Sequence, residues 1–340
     1  MSVLAERLTA QLLAGPPARD PVAVAERLLA IQAQDLRGAC LAVRARSNGL
    51  SVRDLEKTLT EDRSLLVTWL NRGTLHLVRS EDYRWLQALT APRLLQANAR
   101  RLSQEGVPPA AAERGVAEIE RALAEAGPLD RDCLRDRVAV CGVRTQGQAF
   151  VHLLALASIR GLIVRGPMVA GEQAFVLVRD WLGESTSVDR DDALAELARR
   201  YLAAHGPADD QDLARWSGLP LRDARAGLKA IAAELHQRED GLTDLKRRNS
   251  TAPVPETRLL GPFEPVLLGW NSRELVLGEA DPLVVSGGVF RPFALVRGRA
   301  VATWTISRQK VELQPFGRLA RADREALETD ARDLARFLAN

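Results

Sequence analysis

Asp212-Leu213-Ala214-Arg215-Trp216-Ser217-Gly218-Leu219 is the stretch that decides the fold. A small residue, Ala214, stands four positions before Gly218. That is the spacing of a helix that stops in a tight turn, where a residue without a Cβ is favoured. Residues 221–235 then supply a second helix. Upstream, Gly206-Pro207 breaks the chain and Asp209 offers a cap. Downstream, residues 242–245 suit one strand of a wing that ends in Lys246-Arg247-Arg248. That triplet reads either as a phosphate contact or as a solvated linker face.

The same order recurs on the N-terminal side. Gly127-Pro128 and Asp130 follow an expected helix over 111–126 and open another, and a third helix is expected over 148–159. Leu162-Ile163-Val164 and Phe175-Val176-Leu177-Val178 then bracket a turn rich in Gly and Pro. In the first 90 residues an amphipathic segment, 3–13, stops at Gly15-Pro16-Pro17. Asp20-Pro21 starts a helix expected to run through Gln34, with Pro at a first-turn position where its missing N–H costs nothing. Ser51 with Asp54 resembles a capping box. Two β-rich runs, Leu65-Leu66-Val67-Thr68-Trp69-Leu70 and Thr74-Leu75-His76-Leu77-Val78, flank Asn71-Arg72-Gly73 as a hairpin.

Helices followed by a hairpin, three times over, predict three tandem winged-helix motifs. After Pro255 the texture changes to short apolar runs, among them Val266-Leu267-Leu268, Leu283-Val284-Val285, Phe293-Ala294-Leu295-Val296 and Val301-Ala302-Thr303-Trp304. These predict a small antiparallel β-barrel closed by a helix over 321–338. The expected fold class is therefore α+β, mainly α. The expected domains are 1–100, 101–188, 189–252 and 253–340, the last holding the barrel and its closing helix.

The bulk numbers agree with several packed units. At 340 residues the chain exceeds the ~100–200 of one domain. Its 46% apolar content can bury real cores. No secretory leader pattern is visible, and no run nears the ~18 apolar residues of a membrane span, so a soluble, cytoplasmic protein is expected; a monomer is expected as well. Cys40, Cys133 and Cys141, with His76, His152, His205 and His236, lack metal-site spacing, so no cofactor and no metal are expected. Of the 47 basic residues only Lys57, Lys229, Lys246 and Lys310 are lysine. The planar fork of arginine suits phosphate, although a GC-rich genome favours the same excess.

Gln32 falls on the apolar stripe of the expected helix, where a hydrophobe belongs. It is either a satisfied structural amide or the lining of a wet cavity. Gln34 lies about 200° further round a continuous helix. Both can face one cavity only if the helix ends or distorts near Ala33. Asp35 is a rival base, or has a helix-end or salt-bridge role. Arg37, Arg44 and Arg46 could bind phosphates or be solvated surface. Asn71, Arg72 and His76, in and just beyond the first hairpin, could touch DNA, and His76 could equally be a packed strand residue.

The stretch Leu29-Ala30-Ile31-Gln32-Ala33-Gln34-Asp35-Leu36-Arg37-Gly38-Ala39 resembles the signature segment of the AlkZ-like DNA glycosylases, bacterial proteins related to the azinomycin-resistance enzyme and to YcaQ. The resemblance continues in Thr68-Trp69-Leu70-Asn71-Arg72-Gly73-Thr74-Leu75-His76-Leu77 and in Leu259-Leu260-Gly261-Pro262-Phe263-Glu264-Pro265-Val266-Leu267-Leu268-Gly269-Trp270. It extends through Gly287-Gly288-Val289-Phe290-Arg291-Pro292 and Gly298-Arg299-Ala300-Val301-Ala302-Thr303-Trp304. It implies three winged helices with a C-terminal β-barrel, a catalytic pair at Gln32 and Gln34, and the Gln-x-Gln type tied to self-resistance against DNA-alkylating natural products. The implied partner is double-stranded DNA bearing bulky alkylpurine adducts, interstrand crosslinks among them. Glu264 departs from an expected Asp, and Asn271-Ser272 are unfamiliar beside Trp270, which leaves the adduct open.

Two other readings compete. A winged-helix transcriptional regulator would select a defined site with no chemistry, and a protein-interaction scaffold would show no salt-sensitive DNA affinity.

Overall fold

The computed structural model describes residues 2–184, 188–246, 256–307 and 310–339. The chain is a mixed helix-and-strand protein whose residues cluster into two compact units. One is built from two segments, Met1–Leu55 and Leu194–Asn340, and the other from Glu56–Ala193 between them. Contacts thus partition the chain differently from four consecutive domains. The first helices group with the last two blocks, and the first hairpin groups with the second block.

The two-segment unit opens with α1 (Val3–Ala10), α2 (Pro21–Leu28) and α3 (Leu36–Arg44). Ser2 caps α1 and Asp20 caps α2, the latter accepting the Ala23 N–H at 2.8 Å. In its second segment Asp209 caps helix Asp210–Ser217, accepting the Asp212 N–H at 2.7 Å. That helix ends at Gly218 in the left-handed region, and helix Leu221–Ala230 follows. Leu213, Trp216 and Ala224 are buried, so this helix pair contributes its apolar faces to the core. Strands Leu235–Gln237 and Thr243–Leu245 then pair antiparallel.

Four C-terminal strands, Arg258–Leu260, Phe293–Val296, Arg299–Ser307 and Lys310–Pro315, form one antiparallel sheet in that order. Among the described residues no strand closes it, so the expected barrel is an open sheet. Helix Arg321–Ala339 covers the short edge strand instead. Asp330 on that helix accepts the Leu259 N–H at 2.6 Å, which satisfies an edge donor without another strand. Two runs expected as strands contain helical turns, Pro265–Leu268 and Asp281–Val284. Proline in the first turn of each explains the change, since its fixed φ suits that position.

The second unit carries strands Leu65–Leu70, Thr74–Arg79, Ile163–Val169 and Glu172–Leu177. The two hairpins merge into one antiparallel sheet through the pairing of Val67 with Arg165. Helices Pro109–Ala126, Arg131–Val140 and Ala149–Ile159 precede the second hairpin in the order the sequence suggested.

A buried clamp ties α3 to the C-terminal block of its unit. Gly38 passes so close to Pro262 that a Cβ there would lie 2.7 Å from its carbonyl oxygen. Arg44 bonds both carboxylate oxygens of Asp330, at 2.8 and 2.6 Å, and Asp333 at 2.9 Å. Just past α3, Arg46 donates to the carbonyls of Gln11 and Ala42 at 2.7 and 2.9 Å, to the Gln11 side chain, and to Glu264. Both side chains of the Arg46–Glu264 pair are 0% exposed. Removing one member of such a pair leaves a buried charge without its counterion, which costs ~3–5 kcal/mol. Glu264→Ala is therefore expected to lower the unfolding free energy by that amount. It should be read as a fall in the urea midpoint at unchanged slope, and a loss under ~1 kcal/mol would count against the clamp.

Candidate active site

The Gln32–Gln34 segment owes its shape to an early helix ending. α2 does not run through Gln34 but stops at Leu28. Leu29 takes φ 65° and ψ −51°, and the Ala30 N–H donates to the Leu28 carbonyl at 2.8 Å. This is a γ-turn of positive φ, a rare and strained arrangement for a branched residue. Leu29 and Ile31 are fully buried, and their packing holds the turn. Ile31–Gln32 is extended and Asp35 is extended again, at φ −113° and ψ 111°. The rotation that would set Gln32 and Gln34 on opposite helix faces is therefore absent. Gln32 is 7% exposed, while Gln34 is exposed.

Asp35 caps α3, accepting the Arg37 N–H at 2.9 Å. Its carboxylate is engaged as a helix-end cap, the local alternative to acting as a base. Arg37 lies exposed in the first turn of α3.

Arg44 and Arg46 leave the set of candidate phosphate contacts. At 3% and 1% exposure, and held by the carboxylates and carbonyls of the clamp, they serve packing inside their unit. The sequence could not distinguish them from Arg37, because a buried arginine and a surface one look alike until the partner carboxylates are located.

In the second unit, the first hairpin turns through Asn71, Arg72 and Gly73, closed by the Gly73 N–H on the Leu70 carbonyl at 2.9 Å. Arg72 is exposed. Asn71 is buried with φ 51°, and His76 is buried in strand Thr74–Arg79. His76 Nδ1 lies 2.9 Å from the Thr74 carbonyl, so that nitrogen carries the proton and donates, leaving Nε2 as an acceptor. Burial, with Arg72 nearby, lowers its pKa to about 3, so His76 is not a cationic phosphate ligand at neutral pH.

Lys246 is exposed and donates to the Ala233 carbonyl at 2.8 Å, whereas Arg247 and Arg248 lie outside the described residues. Trp69, Trp270 and Trp304 are buried, consistent with core roles. Thr68 and Thr74 flank Asn71 on the hairpin and stand outside the residues expected to touch DNA. Their signal in the sequence is one hydroxyl residue in each of two strands built mainly from apolar residues. Among the described residues no group of three or more His, Cys, Asp or Glu could hold a metal ion, and no helix is long and apolar enough to cross a membrane.

Comparison with known proteins defines the class to which this chain belongs. Residues 25–337 match the family described as DNA glycosylase AlkZ-like. The chain is 29% identical, over 98% of its length and 95% of the relative's, to the interstrand DNA cross-link repair glycosylase of Streptomyces sahachiroi. Its structure resembles that of Streptomyces sahachiroi DNA glycosylase AlkZ with a TM-score of 0.80 and 26% identity, covering 98% of this chain and 95% of the other. The chain belongs to the AlkZ-like family and is a DNA glycosylase.

The His76 shift has a measurable consequence. The folded pKa lies below the unfolded value of 6.5, so the unfolded chain binds the extra proton as pH falls from 6.5 towards 3. The stabilisation is present above 6.5 and drains at about 1.4 kcal/mol per pH unit below it. A His76→Gln variant should lack this slope between pH 6 and 5 in urea unfolding. Identical slopes in both proteins would contradict a neutral buried ring.

Proposed function

We propose that this glycosylase is monofunctional and hydrolyses the N-glycosidic bond of bulky, cationic N7-alkylated purines in double-stranded DNA. Gln32 and Gln34 hold the attacking water and the sugar. The observation that carries this reading is the helix ending at Leu29, which frees both glutamines from the opposed faces of one helix.

N7 alkylation places a positive charge on guanine, so the base departs without being protonated. The C1′–N9 bond breaks with its electron pair going to the base, which becomes neutral. A water oxygen bonds to C1′, and the proton it loses passes to solvent. What the protein must supply is position. A carboxamide both accepts and donates hydrogen bonds, and so can hold a water in line without acting as a base. It gives less electrostatic help than a carboxylate to the developing oxocarbenium charge, which fits a leaving group already activated. A neutral base such as uracil fits poorly.

The helix runs followed by hairpins are read as winged helices that grip the duplex. Arg37 and Arg72 are assigned phosphate contacts because they are exposed cations near the proposed contact elements, and Lys246 with Arg247 and Arg248 because they form a basic run. Similarity to the interstrand DNA cross-link repair glycosylase of Streptomyces sahachiroi favours interstrand crosslinks among the substrates. The Gln-x-Gln pair favours a self-resistance role against an alkylating natural product.

Single-turnover release of base from duplexes bearing N7-alkylguanines of increasing bulk tests the assignment. Gln32→Ala and Gln34→Ala should each slow release by roughly 10²–10³, the usual cost of one pre-organised contact in a transition state. Full rates in both variants would overturn the pair. Arg37→Ala or Arg72→Ala should reduce the log–log slope of duplex affinity against salt by about 0.9, and an unchanged slope would remove that residue from the phosphate set.

A further inference from the structure

The strands Leu65–Leu70 and Thr74–Arg79 of the hairpin are built mainly from apolar side chains, with Leu65, Leu66, Val67, Leu70, Leu77 and Val78 at 0% exposure. Within this apolar frame four side-chain polar atoms are buried without a hydrogen-bond partner. They are Thr68 Oγ1, Thr74 Oγ1 and both amide atoms of Asn71. A buried polar atom left unpaired costs ~1–3 kcal/mol, and an apolar side chain of the same shape would avoid it. Concentration of that cost in seven residues calls for a polar guest.

The placement is orderly. Thr68 and His76 face one another across the strand pair. Thr74 lies two residues before His76, on the same face of its strand. Asn71 occupies the turn at φ 51°, 3% exposed. An asparagine in such a turn ordinarily bonds its own backbone; this one does not. The face therefore presents an amide donor, an amide acceptor, two hydroxyls and the acceptor nitrogen of His76.

We propose that this hairpin face docks the hydrogen-bonding edge of a purine, with Asn71 reading the edge and Thr68, Thr74 and His76 supporting it. A phosphate is the wrong guest, because it calls for cations and these four side chains are neutral. A purine edge presents donors and an acceptor together, and a carboxamide answers both. N7-alkylated guanine keeps its O6, N1–H and N2–H₂ edge intact for such a contact. The choice of this base, as opposed to purines in general, rests on the substrate reading above.

The test uses the full chain with Asn71→Gly and Thr68→Val. Glycine accepts a positive φ without strain, and valine matches threonine in shape, so neither change threatens the fold. Three quantities are compared with the wild type. They are the thermal midpoint, the affinity for a duplex carrying one N7-methylguanine on a cleavage-resistant 2′-fluoro sugar relative to the undamaged duplex, and the midpoint shift given by free 7-methylguanosine.

Unchanged or raised midpoints are expected, with undamaged-duplex affinity and its salt slope intact. Lesion preference should fall about tenfold or more, the worth of one good base-edge contact. 7-Methylguanosine should stabilise the wild type and not Asn71→Gly. Lowered midpoints in both variants, or wild-type lesion preference retained, would overturn the proposal, as would a wild type that 7-methylguanosine does not stabilise. Failure of the substrate assignment looks different. The wild type would then release no N7-alkylguanine from any duplex, and the 7-methylguanosine shift alone would decide the hairpin.

Discussion

Arg46 and Glu264 form an ion pair from which water is shut out on both sides, although 218 positions separate them in the chain. Taking two charges into the interior has a large desolvation cost, offset only where geometry and further hydrogen bonds are good. Here the remaining guanidinium donors meet the carbonyls of Gln11 and Ala42. Neither partner can be released alone without stranding a buried charge. The N-terminal helices are thereby bound to the block around Pro262, where the Gly38 contact leaves no room for a side chain. The position of the glutamine segment, at the entry of α3, follows from this clamp.

Strain at Leu29 is the counterpart of that anchoring. A leucine at φ 65° costs of order 1–3 kcal/mol and persists only where its surroundings dictate the conformation. Leu29 and Ile31 are both fully buried, so leaving the turn would pull apolar side chains from the core. The strained residue falls three positions before Gln32. Packing energy spent on one side of the turn thus fixes the backbone that presents the pair.

The side chains proposed to meet the water and the base are neutral. Gln32, Gln34, Asn71, Thr68, Thr74 and a His76 ring kept uncharged by burial bring hydrogen-bonding groups but little charge. Such groups suit a reaction whose leaving group brings its own positive charge. The arginines divide in the opposite sense, with Arg44 and Arg46 spent on the interior and Arg37 and Arg72 left at the surface. Sequence patterning treated Arg37, Arg44 and Arg46 alike, since charge type says nothing of burial.

Much was legible in the chain alone. Gly218, Asp209 and Asp130 marked turns and caps because those residues act on their immediate neighbours, and the structure places them so. The Gln-x-Gln segment with its flanking blocks announced the family. Local chemistry could not reveal that α2 stops at Leu28, because no Gly or Pro stands there and the turn is held by packing. Nor could it show that two hairpins share one sheet through Val67 and Arg165, or that a helix covers the edge a barrel would have closed. Propensity, capping and turn signals belong to a few consecutive residues, and the sequence determined those. Strand partners, buried ion pairs and the orphaned amide of Asn71 depend on which distant segments meet, and only the tertiary structure decided them.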